Sequence, residues 1–216
     1  MGDFSLAGSA LFAGVEKEEL GPLLQKVGAR ERSFQRGETL LTAGERARSM
    51  GLVLAGRVTV EHHDFWGSRS VLDSLGPGKV FAEAYALLPE EPLQVSVTGA
   101  EAGRVLFLAP DKLAQDPRLL RNLLLLTAEK NLRLSRRIFH TSSKTIRGRV
   151  LSYLSFEAAR NGSREFTIPF TRQQLADYLE VDRSALSHEL GNMAREGLLR
   201  TRRSHFALLE QQDGKE

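Results

Sequence analysis

The chain has 216 residues, 41% of them hydrophobic and 26% charged, which is typical of one or two globular domains and excludes a disordered or low-complexity chain. It has no cysteine, so disulfides, cysteine nucleophiles and thiolate-bound metal clusters are excluded, and no apolar run approaches the roughly 20 residues of a membrane span. The net charge is +3, and residues 144–208 carry the whole excess with 11 basic and 7 acidic side chains, which indicates either an anionic partner or a solvated surface there.

Residues 32–108 consist of short apolar segments separated by glycines. Gly51–Leu54 and Arg57–Val60 are two of these segments, and alternation of apolar and polar side chains predicts that they are strands. Gly56 permits a turn with positive φ between the two. Short strands at regular spacing predict an antiparallel sandwich or barrel. The apolar residues before them, which begin at Leu11, predict short helices that cap this barrel.

From residue 116 to about residue 141 no glycine interrupts a helical pattern, which predicts one long helix. The residues at heptad spacing are Leu120, Leu124, Thr127, Asn131, Leu134, Ile138 and Thr141. A heptad seam keeps facing a partner helix, so we expect these residues to form a dimer interface, with Asn131 fixing its register. The alternative is one amphipathic helix packed on its own barrel through a second stripe, Leu119, Leu123 and Leu126. The two arrangements are compatible.

The C-terminal part of the chain has the signals of two short helices joined by a tight turn. Thr171 and Gln174 form a capping box, so a helix starts there. Asp182 is a suitable N-cap for the second helix. Apolar residues three or four positions apart predict the buried faces of the two helices: Leu175, Leu179, Leu186, Leu190 and Met193. Residues 198–208 follow as two strands around a basic tip, which completes a winged helix-turn-helix.

Polar side chains occupy the opposite face of the second helix, near its N-terminus. A recognition helix needs exposed donors there, because its first turns reach deepest into the major groove. Arg183 suits guanine or phosphate, whereas arginines of the preceding helix and of the wing suit phosphate. The residues predicted to contact DNA are Arg172, Gln173, Arg183, Ser184, Ser187, His188, Arg202 and Arg203. The alternative is that they decorate a helix of a partner-binding domain.

Six segments carry a resemblance that spans the chain from end to end. They are Phe34–Glu38, Ala43–Glu45, Leu54–Val58, Leu75–Glu83, Arg147–Val150 and Thr171–Ala176. In these segments the chain resembles the CRP/FNR superfamily, the cyclic AMP receptor protein type of transcription regulator. The resemblance implies an α+β chain: an N-terminal antiparallel β-roll, similar to the jelly roll of cyclic-nucleotide-binding domains, a long dimerisation helix and a C-terminal winged helix-turn-helix. Residues 1–115, 116–142 and 143–216 are expected to form these three parts.

The predicted effector pocket of the roll departs from the family pattern. In cyclic-nucleotide binders of this family a Gly-Glu pair follows a phenylalanine, and an Arg-Ser pair lies further on. The glutamate binds the ribose 2′-hydroxyl, the arginine neutralises the phosphate, and the glycine lets backbone amides approach. Here Ala82 and Glu83 follow Phe81, and Gln94 and Val95 stand where Arg-Ser would be. Because glutamine cannot offset a phosphate charge, we expect these residues to bind another small molecule or none, rather than cyclic AMP or cyclic GMP.

Haem is the second ligand class considered, because some relatives sense gases with a haem in the roll. His62, His63 and His140 are the only histidines outside the predicted DNA-binding region. Adjacent residues of a strand point to opposite faces, so His62 and His63 do not converge on one site, and no cysteine ligand is available. The sequence therefore argues against haem and predicts no metal site.

Motifs of catalysis are missing from the sequence. It lacks the His-x-His ligand set of metal-dependent jelly-roll enzymes and has no Gly-x-Ser-x-Gly, P-loop or His-Glu-x-x-His motif. We therefore predict no enzymatic activity. The predicted protein is a cytoplasmic homodimer that reads a near-palindromic DNA site and regulates transcription. Its expected partners are double-stranded DNA, a second copy of the chain and RNA polymerase, and no membrane. The alternatives are a regulator that senses haem or another ligand, and a ligand- or partner-binding module that does not bind DNA.

Overall fold

The computed structural model describes residues 6–64, 66 and 69–209. The chain folds into two compact units, which meet in the sequence between Glu129 and Lys130. Each unit has its own hydrophobic core. Within the described ranges, none of the helices is long and apolar enough to cross a lipid bilayer.

The first unit is built on an antiparallel six-stranded sheet with helices before and after it. Its strands are β1 (Arg30–Phe34), β2 (Thr39–Leu41), β3 (Met50–His63), β4 (Arg69–Leu75), β5 (Val80–Phe81) and β6 (Ser96–Leu108). Its helices are α1 (Lys17–Lys26), α2 (Glu83–Leu87), α3 (Pro110–Leu113) and the first part of α4 (Pro117–Thr141), preceded by the 3₁₀ turns Leu6–Gly8 and Ala10–Phe12. β6 pairs with β1, β2 and β3, and β3 also pairs with β4 and β5. This arrangement confirms the predicted β-roll.

β3 and β6 are longer than the sequence predicts, because glycines expected in turns lie inside them. Gly56 has a φ of +73° within β3, and the pairing of β3 with β6 shifts register between Ala55 and Arg57. A Cβ on Gly56 would lie 2.3 Å from the carbonyl oxygen of Ala102, and one on Gly103 would lie 2.0 Å from that of Ala55. The glycines therefore let two strands approach closely at an irregularity in the ladder instead of ending the strands. The prediction of a turn at Gly56 is wrong.

The core of the first unit includes one face of α4. Leu119 and Leu123 are 0% and 2% exposed, and they belong to the same cluster as Leu11 of the N-terminal turns and Leu52 of β3. Leu126 packs against this cluster and is half-buried. The second apolar stripe of α4 therefore packs on the chain's own roll, which is the alternative arrangement considered for this helix.

The second unit contains the end of α4, three further helices and a three-stranded sheet. They are α5 (Ile146–Asn161), β7 (Glu165–Thr167), α6 (Arg172–Leu179), α7 (Arg183–Arg195), β8 (Leu199–Arg202) and β9 (His205–Leu208). β9 lies between β7 and β8, and both pairings are antiparallel. Side chains of α5, the sheet, α6 and α7 form one buried cluster. The predicted α+β class and winged helix-turn-helix are confirmed.

Candidate nucleic-acid interface

Local hydrogen bonds define the helix-turn-helix. At the start of α6, Thr171 Oγ1 accepts a hydrogen bond from Gln174 N at 3.3 Å, and Gln174 Oε1 accepts one from Thr171 N at 2.8 Å. α6 ends at Leu179, and the next residue, Glu180, turns the chain with a φ of +55°. Asp182 Oδ1 then accepts a hydrogen bond from Ala185 N at 2.9 Å, which caps α7. Both predicted caps are present.

Two arginines of α5 hold the helix-turn-helix in place. Arg147 Nε donates to Glu189 Oε1 at 2.6 Å, and its two terminal nitrogens each donate to one carboxylate oxygen of Glu196 at 2.7 Å. These hydrogen bonds lower the pKa of Glu196. Arg149 Nη1 donates to the carbonyl oxygens of Leu179 and Glu180, both at 2.9 Å. α5 is thereby tied to the middle and the C-terminal end of α7 and to the turn between α6 and α7.

The outer face of α7 is exposed at all four predicted positions. Ser184 Oγ donates to a carboxylate oxygen of Asp182, and Ser187 Oγ donates to the carbonyl oxygen of Arg183 at 2.9 Å. His188 Nδ1 lies 3.4 Å from Asn192 Nδ2. The guanidinium of Arg183 makes no hydrogen bond or ion pair with any residue that the structure describes. Its five N–H donors are therefore available to a ligand.

The wing presents further arginines on an exposed hairpin. Arg202 pairs with His205 across a two-residue loop, and Arg203 in that loop has a φ of +56°. Ser204 Oγ anchors the loop by donating to the carbonyl oxygen of Phe170 at 2.9 Å. Arg202 and Arg203 are both exposed. The tight hairpin therefore places Arg202, at the end of β8, and Arg203, in the loop, away from the core.

One side of the wing sheet forms a shallow basic concavity that the sequence analysis missed. Its volume is 460 Å³, and it is lined by Arg164, Arg200, Arg202 and His205 together with Glu165. Arg200 and Arg202 are both exposed and share a face of β8 because side chains two apart in a strand point the same way. Their spacing around Thr201 is the sequence signal that could have identified Arg200.

Arg172 has different surroundings from the other predicted contacts. Its guanidinium carbon lies 5.6 Å from the centre of the Phe206 ring, and its Nη2 donates to the carbonyl oxygen of Arg203 at 3.3 Å and to Thr201 Oγ1 at 3.4 Å. Burial lowers the pKa of Arg172. This guanidinium therefore ties α6 to the wing. Gln173 is exposed, and its Nε2 donates to Asp177 Oδ1 at 2.8 Å.

The residues of the predicted effector pocket lie in different environments within the roll. Phe81 is buried, and its ring occupies the space where a Cβ on Gly51 would lie, 2.0 Å away. Ala82 has a φ of +57°, a conformation in which glycine would be unstrained. Glu83 is buried at the start of α2 and Val95 is half-buried, whereas Gln94 is exposed.

The histidines considered as haem ligands are likewise in unrelated surroundings. His62 is exposed, with its Nδ1 3.2 Å from the carbonyl oxygen of Gln94. The side chain of His63 lies outside the described residues. His140, in the second unit, is buried, with its Nδ1 3.1 Å from Ser152 Oγ, and burial lowers its pKa.

The heptad face of α4 is largely exposed. Leu120, Leu124, Leu134 and Ile138 are between 46% and 67% exposed. Asn131 is also exposed, whereas Thr127 is half-buried and its Oγ1 donates to the carbonyl oxygen of Leu123 at 2.8 Å. The exposed apolar surface is wider than the predicted seam, since it includes Leu125, Leu132 and Phe139. These three residues also recur every seven positions, which is the signal that could have identified them.

Comparisons with known proteins agree with this architecture. The cyclic nucleotide-binding domain matches residues 31–115, and the Crp-like helix-turn-helix domain matches residues 148–212. Among solved structures, the catabolite activator protein of Thermus thermophilus is 24% identical, with 93% of each chain covered and a TM-score of 0.50. CprK, in a structure described as complexed with OCPA, is 16% identical, with 90% of this chain and 92% of that chain covered and a TM-score of 0.61. At these identities the two structures show similarity of fold.

No curated protein matches the chain. The two domain matches nevertheless cover both structural units, in the order in which the fold presents them. A roll of the cyclic-nucleotide-binding type followed by a Crp-like helix-turn-helix places the chain in the CRP/FNR superfamily of transcription regulators.

Proposed function

We propose that the chain is a homodimeric regulator that binds a near-palindromic DNA site and reads base edges with the outer face of α7. The observation that carries this proposal is the contrast between the two faces of α7. Leu186 and Leu190 are buried, while Arg183, whose guanidinium has no acceptor among the described residues, lies on the exposed face. An arginine without a protein acceptor can donate two parallel hydrogen bonds to guanine or to a phosphate. Arg202 and Arg203 would bind the backbone beside it.

The exposed apolar face of α4 supports the dimer. Leu124, Leu134 and Ile138 recur at heptad positions and are each more than 60% exposed, and single chains rarely leave such a stripe in water. A two-fold dimer would bind half-sites about one helical turn, roughly 34 Å, apart. In this proposal residues 1–115 sense an effector, residues 116–142 dimerise and residues 143–216 bind DNA. Control of transcription from the bound site would involve RNA polymerase as a further partner.

The roll supports an effector other than a cyclic nucleotide. The exposed side chain of Gln94 is a neutral amide at the position where the family's nucleotide binders have their phosphate-binding arginine. We therefore propose that any effector of the roll carries no phosphate group whose charge an arginine at this position would have to neutralise. Titration of cyclic AMP by calorimetry tests this point, and saturable binding in the micromolar range would contradict it.

The experiment that tests the main proposal combines dimerisation with DNA selection. The full-length protein is used to select duplexes from a random library, and its mass is measured by analytical ultracentrifugation. We expect a dimer and an enriched near-palindrome. The double variant Leu124→Asp, Leu134→Asp should be monomeric and should lose affinity for the palindrome, whereas Leu88→Asp, at an exposed leucine outside α4, should retain both. A monomeric wild-type protein that enriches no sequence would reject the proposal.

A further inference from the structure

The second unit contains a cavity that none of the proposed functions uses. It has a volume of 200 Å³ and lies where the end of α4, α5 and α6 pack together. Its lining is mainly aromatic: His140, Tyr153, Phe156, Phe170 and Tyr178. Ring centres of Phe170 and Tyr178 are 5.1 Å apart, and those of Tyr153 and Tyr178 are 5.4 Å apart. A dry cavity of roughly 150 Å³ holds benzene, so this one has room for a molecule with a single ring.

One buried polar group in this lining lacks a partner. Tyr153 is 3% exposed, and its hydroxyl oxygen forms no hydrogen bond with any residue among 6–64, 66 and 69–209. Leaving a buried hydroxyl unsatisfied costs about 1–3 kcal/mol, so the side chain is retained at a cost to the free protein. Burial also raises the pKa of Tyr153, so its hydroxyl remains protonated and can donate. A ligand oxygen that reaches this hydroxyl would supply the acceptor.

The charges around the cavity favour an anion. Three exposed arginines, Arg133, Arg136 and Arg160, line it with a single carboxylate, Glu157. Glu157 is buried, and its Oε1 accepts a hydrogen bond from Arg160 Nη1 at 3.4 Å. The guanidinium carbon of Arg136 lies 5.2 Å from the centre of the Phe156 ring, at the edge of the aromatic lining. The exposed residues of the lining are thus mainly basic, whereas the buried Tyr153 carries a neutral donor.

We propose that this cavity binds a small aromatic carboxylate that carries a second oxygen on its ring. The ring packs among the aromatic side chains, the carboxylate faces Arg133, Arg136 and Arg160, and the ring oxygen accepts a hydrogen bond from Tyr153. Stacking and edge contacts between rings favour a planar apolar body, and guanidinium groups pair well with carboxylates. This site is separate from the effector position in the roll, and it does not depend on DNA binding by the chain.

The test measures binding of 4-hydroxybenzoate and benzoate to the full-length protein by calorimetry. We expect one 4-hydroxybenzoate per chain, bound about three- to tenfold more tightly than benzoate, which is the effect of one neutral hydrogen bond. In Tyr153→Phe the preference for 4-hydroxybenzoate should disappear, while the affinity for benzoate stays the same. Tyr85→Phe, at the one tyrosine outside the aromatic lining, should leave both affinities unchanged.

A second variant keeps the test decisive if Tyr153→Phe folds poorly. Arg136→Gln combined with Arg160→Gln changes two exposed side chains and should weaken both carboxylates at least tenfold, because charge-assisted hydrogen bonds are lost. Tyramine, which has the same phenol but a cationic end, should bind more weakly than 4-hydroxybenzoate. Undetectable saturation with 4-hydroxybenzoate, an unchanged ligand preference in Tyr153→Phe, full affinity in the arginine double variant, or tighter binding of tyramine would each overturn the proposal.

Discussion

The arginines of α5 and those at the tip of the helix-turn-helix differ in what their guanidinium groups contact. Arg147 and Arg149 donate to carboxylates and backbone carbonyls at 2.6–2.9 Å. Arg183 and Arg203 expose their guanidiniums without any such acceptor among the described residues. The comparison teaches that basic residues of one small unit divide into those that build the fold and those left for an external anion. The number of protein acceptors around each guanidinium separates the two groups of arginines, whereas their charge, which is the same, does not.

Arg172 lies between these two groups. Like the α5 arginines, it donates to protein acceptors, but both of its acceptors belong to the wing. Its hydrogen bond to the carbonyl oxygen of Arg203 therefore also helps to position Arg203. Substitutions at each kind of arginine should separate loss of fold from loss of contact with DNA.

The largest effect is expected for Arg147→Ala. This change removes the hydrogen bonds to Glu189 and Glu196 and leaves two carboxylates without their cation. We expect the largest fall in thermal midpoint among these arginine variants, together with weaker binding to every duplex, because α7 loses its tie to α5. Arg147→Lys should recover only part of the midpoint, since an ammonium cannot make the bidentate pair. Differential scanning calorimetry measures both, and a midpoint as high as that of Arg183→Ala would remove the distinction between the two groups.

Arg183→Ala should have the next largest effect, and only on the matching sequence. Its guanidinium has no partner to lose within the part of the chain that the structure describes, so we expect an unchanged thermal midpoint. Binding to the selected palindrome should weaken by about 1–3 kcal/mol, with a flattened preference at one base pair. Gel-shift titrations on the palindrome and on a scrambled duplex measure the difference. Equal losses on the two duplexes would reject a role in reading bases.

A smaller and sequence-independent effect is expected for Arg203→Ala. A phosphate contact carries no sequence information, so binding to all duplexes should weaken alike, and the slope of log affinity against log salt should fall by about 1. Arg172→Ala is the matched comparison, because it should also lower the thermal midpoint by releasing the wing from α6. Salt-dependent fluorescence anisotropy tests both variants. If Arg172→Ala left the thermal midpoint unchanged, Arg172 would belong with Arg183 and Arg203, whose guanidiniums have no acceptor among the described residues.

Much of the helix-turn-helix could be predicted from sequence because its signals are local. The capping box at Thr171, the cap at Asp182 and the spacing of Leu186 and Leu190 each depend on residues within one or two helical turns. The roll was predictable as a class for the same reason, since its strands and glycines alternate regularly. Its strand lengths were not, because the close approach of Gly56 to Ala102 depends on two segments far apart in the chain.

The surroundings of an individual side chain were predictable only where they depend on residues of the same helix. The exposure of Arg183 follows from the helical period. The position of Arg172 depends instead on Phe206, which lies in a different element, strand β9. The aromatic cavity is a stronger example. His140, Tyr153 and Tyr178 belong to three helices, and nothing in their spacing indicates that their rings meet. Long-range packing therefore limits what the sequence alone establishes about the site.

The smallest expected effect is the pH dependence of the pair formed by Arg147 and Glu196. Hydrogen bonds from Arg147 hold the pKa of Glu196 below its ordinary value of 4.5, so the unfolded chain takes up this proton at a higher pH than the folded one. The stabilisation from the pair is therefore complete above about pH 4.5 and is lost as the pH falls through the lower, folded pKa. Solvent screening at this exposed site keeps the effect small.

The comparison of wild type with Arg147→Ala isolates the contribution of the two carboxylates that Arg147 contacts, Glu189 and Glu196, from those of the other carboxylates. Asp182, whose pKa is lowered by its hydrogen bonds with Ser184 and Ala185, is present in both proteins and cancels in the difference. We expect the gap between the two thermal midpoints to be constant from pH 7 to about pH 5 and to narrow below pH 4.5. Conversely, a gap that stays constant down to pH 3 would mean that packing of the Arg147 side chain, and not its charge, stabilises the junction between α5 and α7.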